Sequence, residues 1–301
     1  MRRIGARVHD GLKIERTEFA EDLRGLGLES AQLTLPKFYP GYGFCDDADS
    51  LRVVRRIREE FDAADVSIAV LSAYVNPVHP DDAAGEMARF KRFVRYAAEM
   101  GVGTVGTETG TVTERFEREY AANRTDEVFG RLIDNMRLMN EYAAGHGVRL
   151  GVEAVTWFPV YSVGTMARLL DALGDNAAVI FDPVNVLSAD NWRSQRDIMR
   201  AFIERFGQKF AVVHVKNFVP DGGVLRHVGL FDERGRFDLP YLLELLEDNG
   251  VGCDLILEDT PAGYMDSTVS QLRETVRLRR KAAETAPDFS GGRAARDGAA
   301  L

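Results

Sequence analysis

Residues 150–155 read LGVEAV, 179–185 VIFDPVN, 211–217 AVVHVKN and 255–260 LILEDT. Each is a short, nearly continuous apolar run, as a strand buried on both faces should be. Each also holds one acid or histidine inside it or at its end: Glu153, Asp182, His214 and Glu258. Similar runs occur earlier, and eight strands are predicted: Ile4–Val8, Ala31–Leu35, Val66–Tyr74, Val102–Thr107, Arg149–Val155, Ala178–Phe181, Ala211–Val215 and Asp254–Glu258. Helical patterns separate them. In the stretch 81–100, Met87, Phe90, Phe93, Val94 and Ala97 recur at spacings of three and four. Thr125 is placed to cap the next helix, which carries Val128, Leu132, Met136 and Met139 on one face. Further helices are predicted over Leu239–Asn249 and Asp266–Ala283.

Strands alternating with helices imply parallel pairing through βαβ units. Eight such units in a chain of 301 residues predict one (β/α)8 TIM barrel, here over residues 1–286. An open doubly wound sheet is the competing architecture, but no GxGxxG follows the first strand. The tail 287–301, PDFSGGRAARDGAAL, is small and polar and predicts disorder.

In a barrel of this type chemistry sits at the carboxyl ends of the strands. A lone carboxylate buried there is costly unless it is paired, hydrogen-bonded or metal-bound. Four successive strands presenting Glu153, Asp182, His214 and Glu258 would bring three mutually repelling acids to one point. A divalent cation relieves that repulsion. Oxygen ligands with one imidazole suit Mn2+ first, then Mg2+ or Co2+. Taken singly, a strand-end acid is more often a helix cap or an ion-pair partner than a ligand, and His214 alone reads equally as a core histidine; the four together carry the metal reading.

Other strand-end residues are candidate substrate contacts: His9, Tyr74, Asn76, Glu108, Asn185 and Lys216. GTETG at 106–110 either presents Glu108 to a sugar hydroxyl or is a plain glycine-rich exit. Trp157 is either an apolar wall for a sugar ring or loop packing. Arg226, beside His227, is a candidate for an anionic group, against the reading of an ordinary exposed arginine.

The net charge is −9, from 47 acidic and 38 basic residues, so no nucleic-acid or membrane partner is expected. The two cysteines, Cys45 and Cys253, form no CxxC and predict reduced thiols in a cytoplasmic protein. The opening MRRIGARVHDG has no apolar h-region and predicts no secretory signal.

The four segments, in this order and spacing, resemble the sugar phosphate isomerase/epimerase family of the xylose isomerase-like barrel superfamily. The resemblance covers roughly residues 4–285. HVKN at 214–217 is similar to the family's His-Val-Lys-Asp stretch, and GLFDERGRFDL at 229–239 to its glycine-containing loop. The resemblance implies one metal on Glu153, Asp182, His214 and Glu258, with Glu153 and Glu258 as the acid/base pair on opposite faces of a sugar. The chain departs from the epimerase pattern at Asn185, usually a histidine there, at Asn217, usually aspartate, and in lacking an arginine a few residues after His214. The expected activity is sugar isomerisation or epimerisation by proton abstraction next to a carbonyl, through an enediolate. The alternative is a metal-dependent lyase or dehydratase acting on an inosose or a 3-keto-glycoside. A DNA-repair endonuclease on the same barrel would need a multi-zinc, histidine-rich site; five histidines and the negative charge oppose it. A homo-oligomer is an open expectation.

Overall fold

The apolar runs close into a barrel. The computed structural model describes residues 2–8, 19–39, 42–113 and 121–285. Its strands are β1 Ile4–Arg7, β2 Ser30–Leu33, β3 Ser67–Ser72, β4 Thr104–Thr107, β5 Arg149–Glu153, β6 Ala177–Phe181, β7 Phe210–Val215, β8 Asn217–Asp221, β9 Val224–Val228 and β10 Asp254–Leu257. Eight of them pair in parallel in the closed order β1-β10-β7-β6-β5-β4-β3-β2. Closure pairs β1 with β10, so Ile4 lies beside Leu255 and Ala6 beside Leu257. His9 and the tail 287–301 lie outside the described residues.

The helices bury the faces their spacing predicts. Helix Ala83–Met100 buries Phe90, Phe93, Val94, Ala97 and Met100; Asp82 caps its start by accepting from Gly85 N–H, and Gly101 ends it at φ 67°. Thr125 caps helix Asp126–Ala144, accepting from Val128 N–H, and Val128, Leu132, Met136 and Met139 are buried beneath it. Among the described residues no helix is long and apolar enough to cross a membrane.

Inside the barrel lies a small apolar layer of Val70, Ile180, Val212 and Ile256. Glycines make room for it. A Cβ on Gly106 would meet Ile180 Cδ1 at 2.5 Å, and one on Gly151 would meet Thr104 Cγ2 at 2.8 Å. This layer is the floor of the site, because strand side chains repeat every second residue. Two positions beyond Val70, Ile180, Val212 and Ile256 stand Ser72, Asp182, His214 and Glu258.

One element is additional to the predicted eight. β8 and β9 form an antiparallel hairpin outside the barrel, with Asp221 opposite Val224. Gly222 (φ 55°) and Gly223 (φ 84°) make its turn, as a two-residue loop with both central residues at positive φ requires.

Candidate metal centre and flanking cavities

Glu153 is the last residue of β5, Asp182 follows β6, His214 lies within β7, Lys216 follows β7 and Glu258 follows β10. None of the five is more than 2% exposed. Groups so buried keep their charge only through partners.

The imidazole is set by one side chain. Gln32 Nε2 donates to Ser72 Oγ at 3.0 Å and lies 3.4 Å from Tyr74 Oη, which leaves Gln32 Oε1 as the acceptor. His214 Nε2 lies 2.8 Å from that oxygen, so Nε2 carries a proton. Nδ1 faces the acids, 3.4 Å from Glu258 Oε2, 3.5 Å from Asp182 Oδ2 and 3.7 Å from Glu153 Oε1. Neither His214 Nδ1 nor Asp182 Oδ2 has a hydrogen-bond partner. Glu153, Asp182 and His214 thus offer ligand atoms all within 4.8 Å of one another. The other Asp182 oxygen accepts from Val184 and Asn185 N–H, at 2.8 and 2.9 Å, and fixes the carboxylate.

Glu258 converges on the same point but is also held by cations. Lys216 Nζ donates to its Oε2 at 2.9 Å, and Arg7 pairs with its Oε1. Lys216 Nζ also donates to Asn185 Oδ1 at 2.8 Å and lies 2.9 Å from Asp182 Oδ2 without hydrogen-bond alignment. Burial alone would raise the Glu258 carboxyl; Lys216, His214 and Arg7 reverse that and hold it well below the ordinary value. For His214 burial opposes charge, but Glu153 and Glu258 outweigh it and raise the imidazole well above its ordinary value. A cation held by these carboxylates would take the place of that proton. Orphaned donor atoms, a fixed tautomer and carboxylates chiefly facing one imidazole fit a hard or borderline divalent ion.

The family model for xylose isomerase-like TIM barrels matches residues 20–281. The chain belongs to that family. No curated protein matches it in sequence. The structure of an L-ribulose 3-epimerase superposes with a TM-score of 0.70 at 14% identity, over 96% of this chain and 99% of that one. The probable 3-DHS dehydratase AsbF from Bacillus anthracis gives 0.68 at 14% identity, over 90% and 97%. A xylose isomerase-like TIM barrel protein from Mycobacterium smegmatis in complex with magnesium gives 0.68 at 14%, over 94% and 98%. At such identities the likeness fixes the fold.

Two cavities flank the centre of this xylose isomerase-like barrel. The larger, of ≈ 540 Å³, is lined by Arg7, Lys37, Tyr74, Asn76, Arg89 and Glu108 among others. Burial and the charges of Glu153 and Glu258 push the Glu108 carboxyl up to about 8. Tyr74 sits at φ 43°, in the left-handed region, a conformation that costs a non-glycine residue about 1–3 kcal/mol. Asn76 lines this cavity, but its amide is engaged: it donates to Thr111 C=O at 2.7 Å and accepts from Thr111 and Val78 N–H. It therefore clasps two loops. Gly110 allows the clasp, since a Cβ there would meet Asn76 Oδ1 at 2.0 Å.

The smaller cavity, of ≈ 250 Å³, is bordered by Trp157, Asn185, Leu187, Leu225 and His227. Asn185 joins it to the centre, donating to Glu153 Oε1 at 2.7 Å. Arg226 is elsewhere: its side chain is 70% exposed and paired with Asp221. Alternation along β9 explains this, because Leu225 and His227 share one face and Arg226 takes the other.

Arg7 and Gln32 were not among the expected site residues, nor was the pairing of His227 with Asp259, which were expected singly, at an anionic group and at a strand end. Their signals are present in the sequence: an arginine ending an apolar run, a glutamine inside one, and DGGV, which marks a hairpin.

Proposed function

We propose that the chain is a divalent-metal-dependent enzyme that removes a proton next to the carbonyl of a sugar or sugar derivative, as a sugar isomerase or epimerase. One observation carries the reading: His214 Nδ1 and Asp182 Oδ2 are buried, lack a hydrogen-bond partner and converge with Glu153, while Gln32 fixes the tautomer. Glu153, Asp182 and His214, with Glu258, would hold Mn2+, Mg2+ or Co2+, and the ion would supply Lewis-acid polarisation of a carbonyl oxygen. The epimerase and dehydratase names of the structural relatives and the magnesium in one of them are consistent with this class.

The two glutamates are not equivalent. Glu153 accepts an amide hydrogen bond from Asn185 and is the proton acceptor. Lys216 and Arg7 hold Glu258 ionised, so it accepts a proton less readily. One base at Glu153 suffices for aldose–ketose isomerisation, in which a single carboxylate carries the proton between adjacent carbons. Epimerisation needs a second proton carrier, for which Glu258 is the candidate. Arg7, Tyr74 and Glu108 line the larger cavity, the space for the sugar, while Asn185 and Lys216 stand at the metal centre; Glu108, pushed up to about 8, keeps its proton near neutral pH and donates to a hydroxyl or carbonyl.

With Mn2+ the protein should melt at a higher temperature than with EDTA, because an ion bound only by the native state stabilises it. Incubation of a ketose library in D2O should place deuterium next to the carbonyl. Glu153→Gln should lower turnover by roughly 100-fold or more. An unchanged melting temperature with chelator, together with full activity in Glu153→Gln, would overturn the reading.

A further inference from the structure

We propose that the outer end of the larger cavity binds a carboxylate, which makes the substrate a sugar acid whose acid group lies at the end away from the carbonyl. This rests on the enolising reading of the metal centre and deepens it by naming the substrate class.

Topology sets the two ends. In the closed order of strands, β3 stands four places from β7 and β2 four places from β6. The segments after β2 and β3 therefore face Asp182 and His214 across the barrel mouth. The segment after β2 carries Lys37, and the segment after β3 carries His79 and Arg89; all three line the larger cavity. Tyr74 joins the ends. Its hydroxyl lies 3.4 Å from Gln32 Nε2, and Gln32 Oε1 meets His214 Nε2 at 2.8 Å. Its carbonyl accepts from Arg89 Nη2 at 2.5 Å, and Lys37 Nζ stands 5.6 Å from its ring centroid. A hexose carbon chain is about as long as this one side chain. A sugar with its carbonyl at the metal centre thus brings its far end to Lys37 and Arg89.

The groups at this end donate and do not accept. Lysine and arginine carry N–H donors only. His79 Nδ1 accepts from Asp81 and Asp82 N–H, at 3.2 and 2.9 Å, so the ring proton is on Nε2 and is the one polar group the ring has left to offer. Arg89 Nε and Thr34 Oγ1, on the same wall, are buried without a hydrogen-bond partner. A hydroxyl among such donors leaves its own hydrogen without an acceptor, whereas a carboxylate accepts at both oxygens and donates nothing. The acids do not oppose it. Glu86 Oε2 already accepts from Asn76 N–H at 2.8 Å and from Arg89 Nη2 at 2.7 Å. Glu108 stands at the inner end, where the charges of Glu153 and Glu258 act on it, and Arg7 is held there by Glu258. At the outer end Lys37 and Arg89 against Glu86 leave a single positive charge, which suits a carboxylate. A phosphate, with a charge of about −2, would be half-neutralised. Isomerisation of such an acid moves one carbon-bound proton and leaves the carboxylate untouched.

Calorimetry on the full chain loaded with Mn2+ tests the subsite. Each hexuronate is compared with the neutral hexose of the same configuration: D-glucuronate with D-glucose, D-galacturonate with D-galactose, and D-mannuronate with D-mannose. In at least one pair the acid should bind about tenfold more tightly or better, the scale of hydrogen bonds to a charged group. Lys37→Gln, at an exposed position outside the core, and Arg89→Gln should each remove most of that preference while the hexose still binds. No preference in any pair would overturn the proposal. So would a preference that survives both substitutions, which would put the carboxylate on the metal. D-glucose 6-phosphate binding more tightly than D-glucuronate, with the excess lost in both variants, would overturn the carboxylate in favour of phosphate. Incubation in D2O separates this proposal from the reading beneath it. Deuterium uptake next to the carbonyl in hexoses as readily as in hexuronates would leave the enolising reading standing and overturn the sugar acid. An acid preference lost in both variants, without deuterium uptake, would support the subsite and strike the enolising reading alone.

Discussion

The barrel interior holds two layers that differ in every respect except their address. The lower has Val70, Ile180, Val212 and Ile256, packed against one another. The upper, two residues on along the same strands, has Ser72, Asp182, His214 and Glu258. One pleat, about 7 Å along a strand, separates a dry apolar plug from a cluster of full charges. In the other four strands a glycine or serine stands below and a long polar side chain above, as Gly5 and Arg7, Ser30 and Gln32, Gly106 and Glu108, Gly151 and Glu153. The lower layer holds the strands apart by volume and excludes water from below. The upper layer then sits in a low-dielectric cup, where a charge must find a partner, a proton or an ion. Stability and chemistry are thus divided within each strand rather than between strands.

That division can be broken most sharply at Lys216. Replacing Lys216 with Met leaves Asp182 buried without its cation and Glu258 with Arg7 alone. It should cost about 3–5 kcal/mol in EDTA, as removing one partner of a buried pair does. Mn2+ should restore much of that loss, because it neutralises the same acids. Urea unfolding in both conditions decides, and an equal loss in both would make Lys216 a packing residue. A smaller effect is expected at Gln32. Gln32→Leu removes the acceptor that fixes His214, and Mn2+ affinity by calorimetry should fall by roughly 10–100-fold, as for other lost partners of metal-bound histidines. An unchanged affinity would show that the strand alone orients the ring.

The lower layer should answer differently. Ile180→Val should cost about 0.5–1.5 kcal/mol with or without Mn2+, since it removes only packing. Any dependence of that cost on the ion would couple the layers. A separate test concerns pH. Glu108 titrates at about 8 in the folded chain, against 4.5 ordinarily. Between pH 4.5 and about 8 the folded state therefore binds more protons than the unfolded one, and stability falls as pH rises through that window. Glu108→Gln should flatten this slope in EDTA. A slope unchanged by the substitution would assign it to another group.

Much of this was legible along the chain. The eight apolar runs and the helical spacing of Met87, Phe90, Phe93 and Ala97 specify a parallel barrel because period and length are local properties. The convergence of Glu153, Asp182, His214 and Glu258 was readable for the same reason: each ends or interrupts a buried run. Lys216 and Asn185 were legible as mouth residues, but not as the pair that binds Glu258, Asp182 and Glu153. Asn76 read as a substrate contact and stands as a loop clasp, because the use of an amide depends on which loop lies opposite. Arg226 read as an anion contact and faces solvent, because the β8–β9 hairpin and its alternation were not anticipated. DGGV carried that signal, obscured by Pro220, a residue a strand tolerates only at an edge.

By itself, then, the sequence determined the architecture, the end of the barrel that carries charge and the four side chains that meet there. Only the tertiary structure decided their states. Gln32 and His214 are 182 residues apart, yet their contact chooses the tautomer that turns Nδ1 toward the three acids. Arg7 reaches Glu258 only because closure sets β1 beside β10, and that pairing anchors the Glu258 charge. Hydrophobic periodicity is written residue by residue, whereas protonation and the direction of a lone pair depend on distances of a few ångströms that exist only after the barrel has closed.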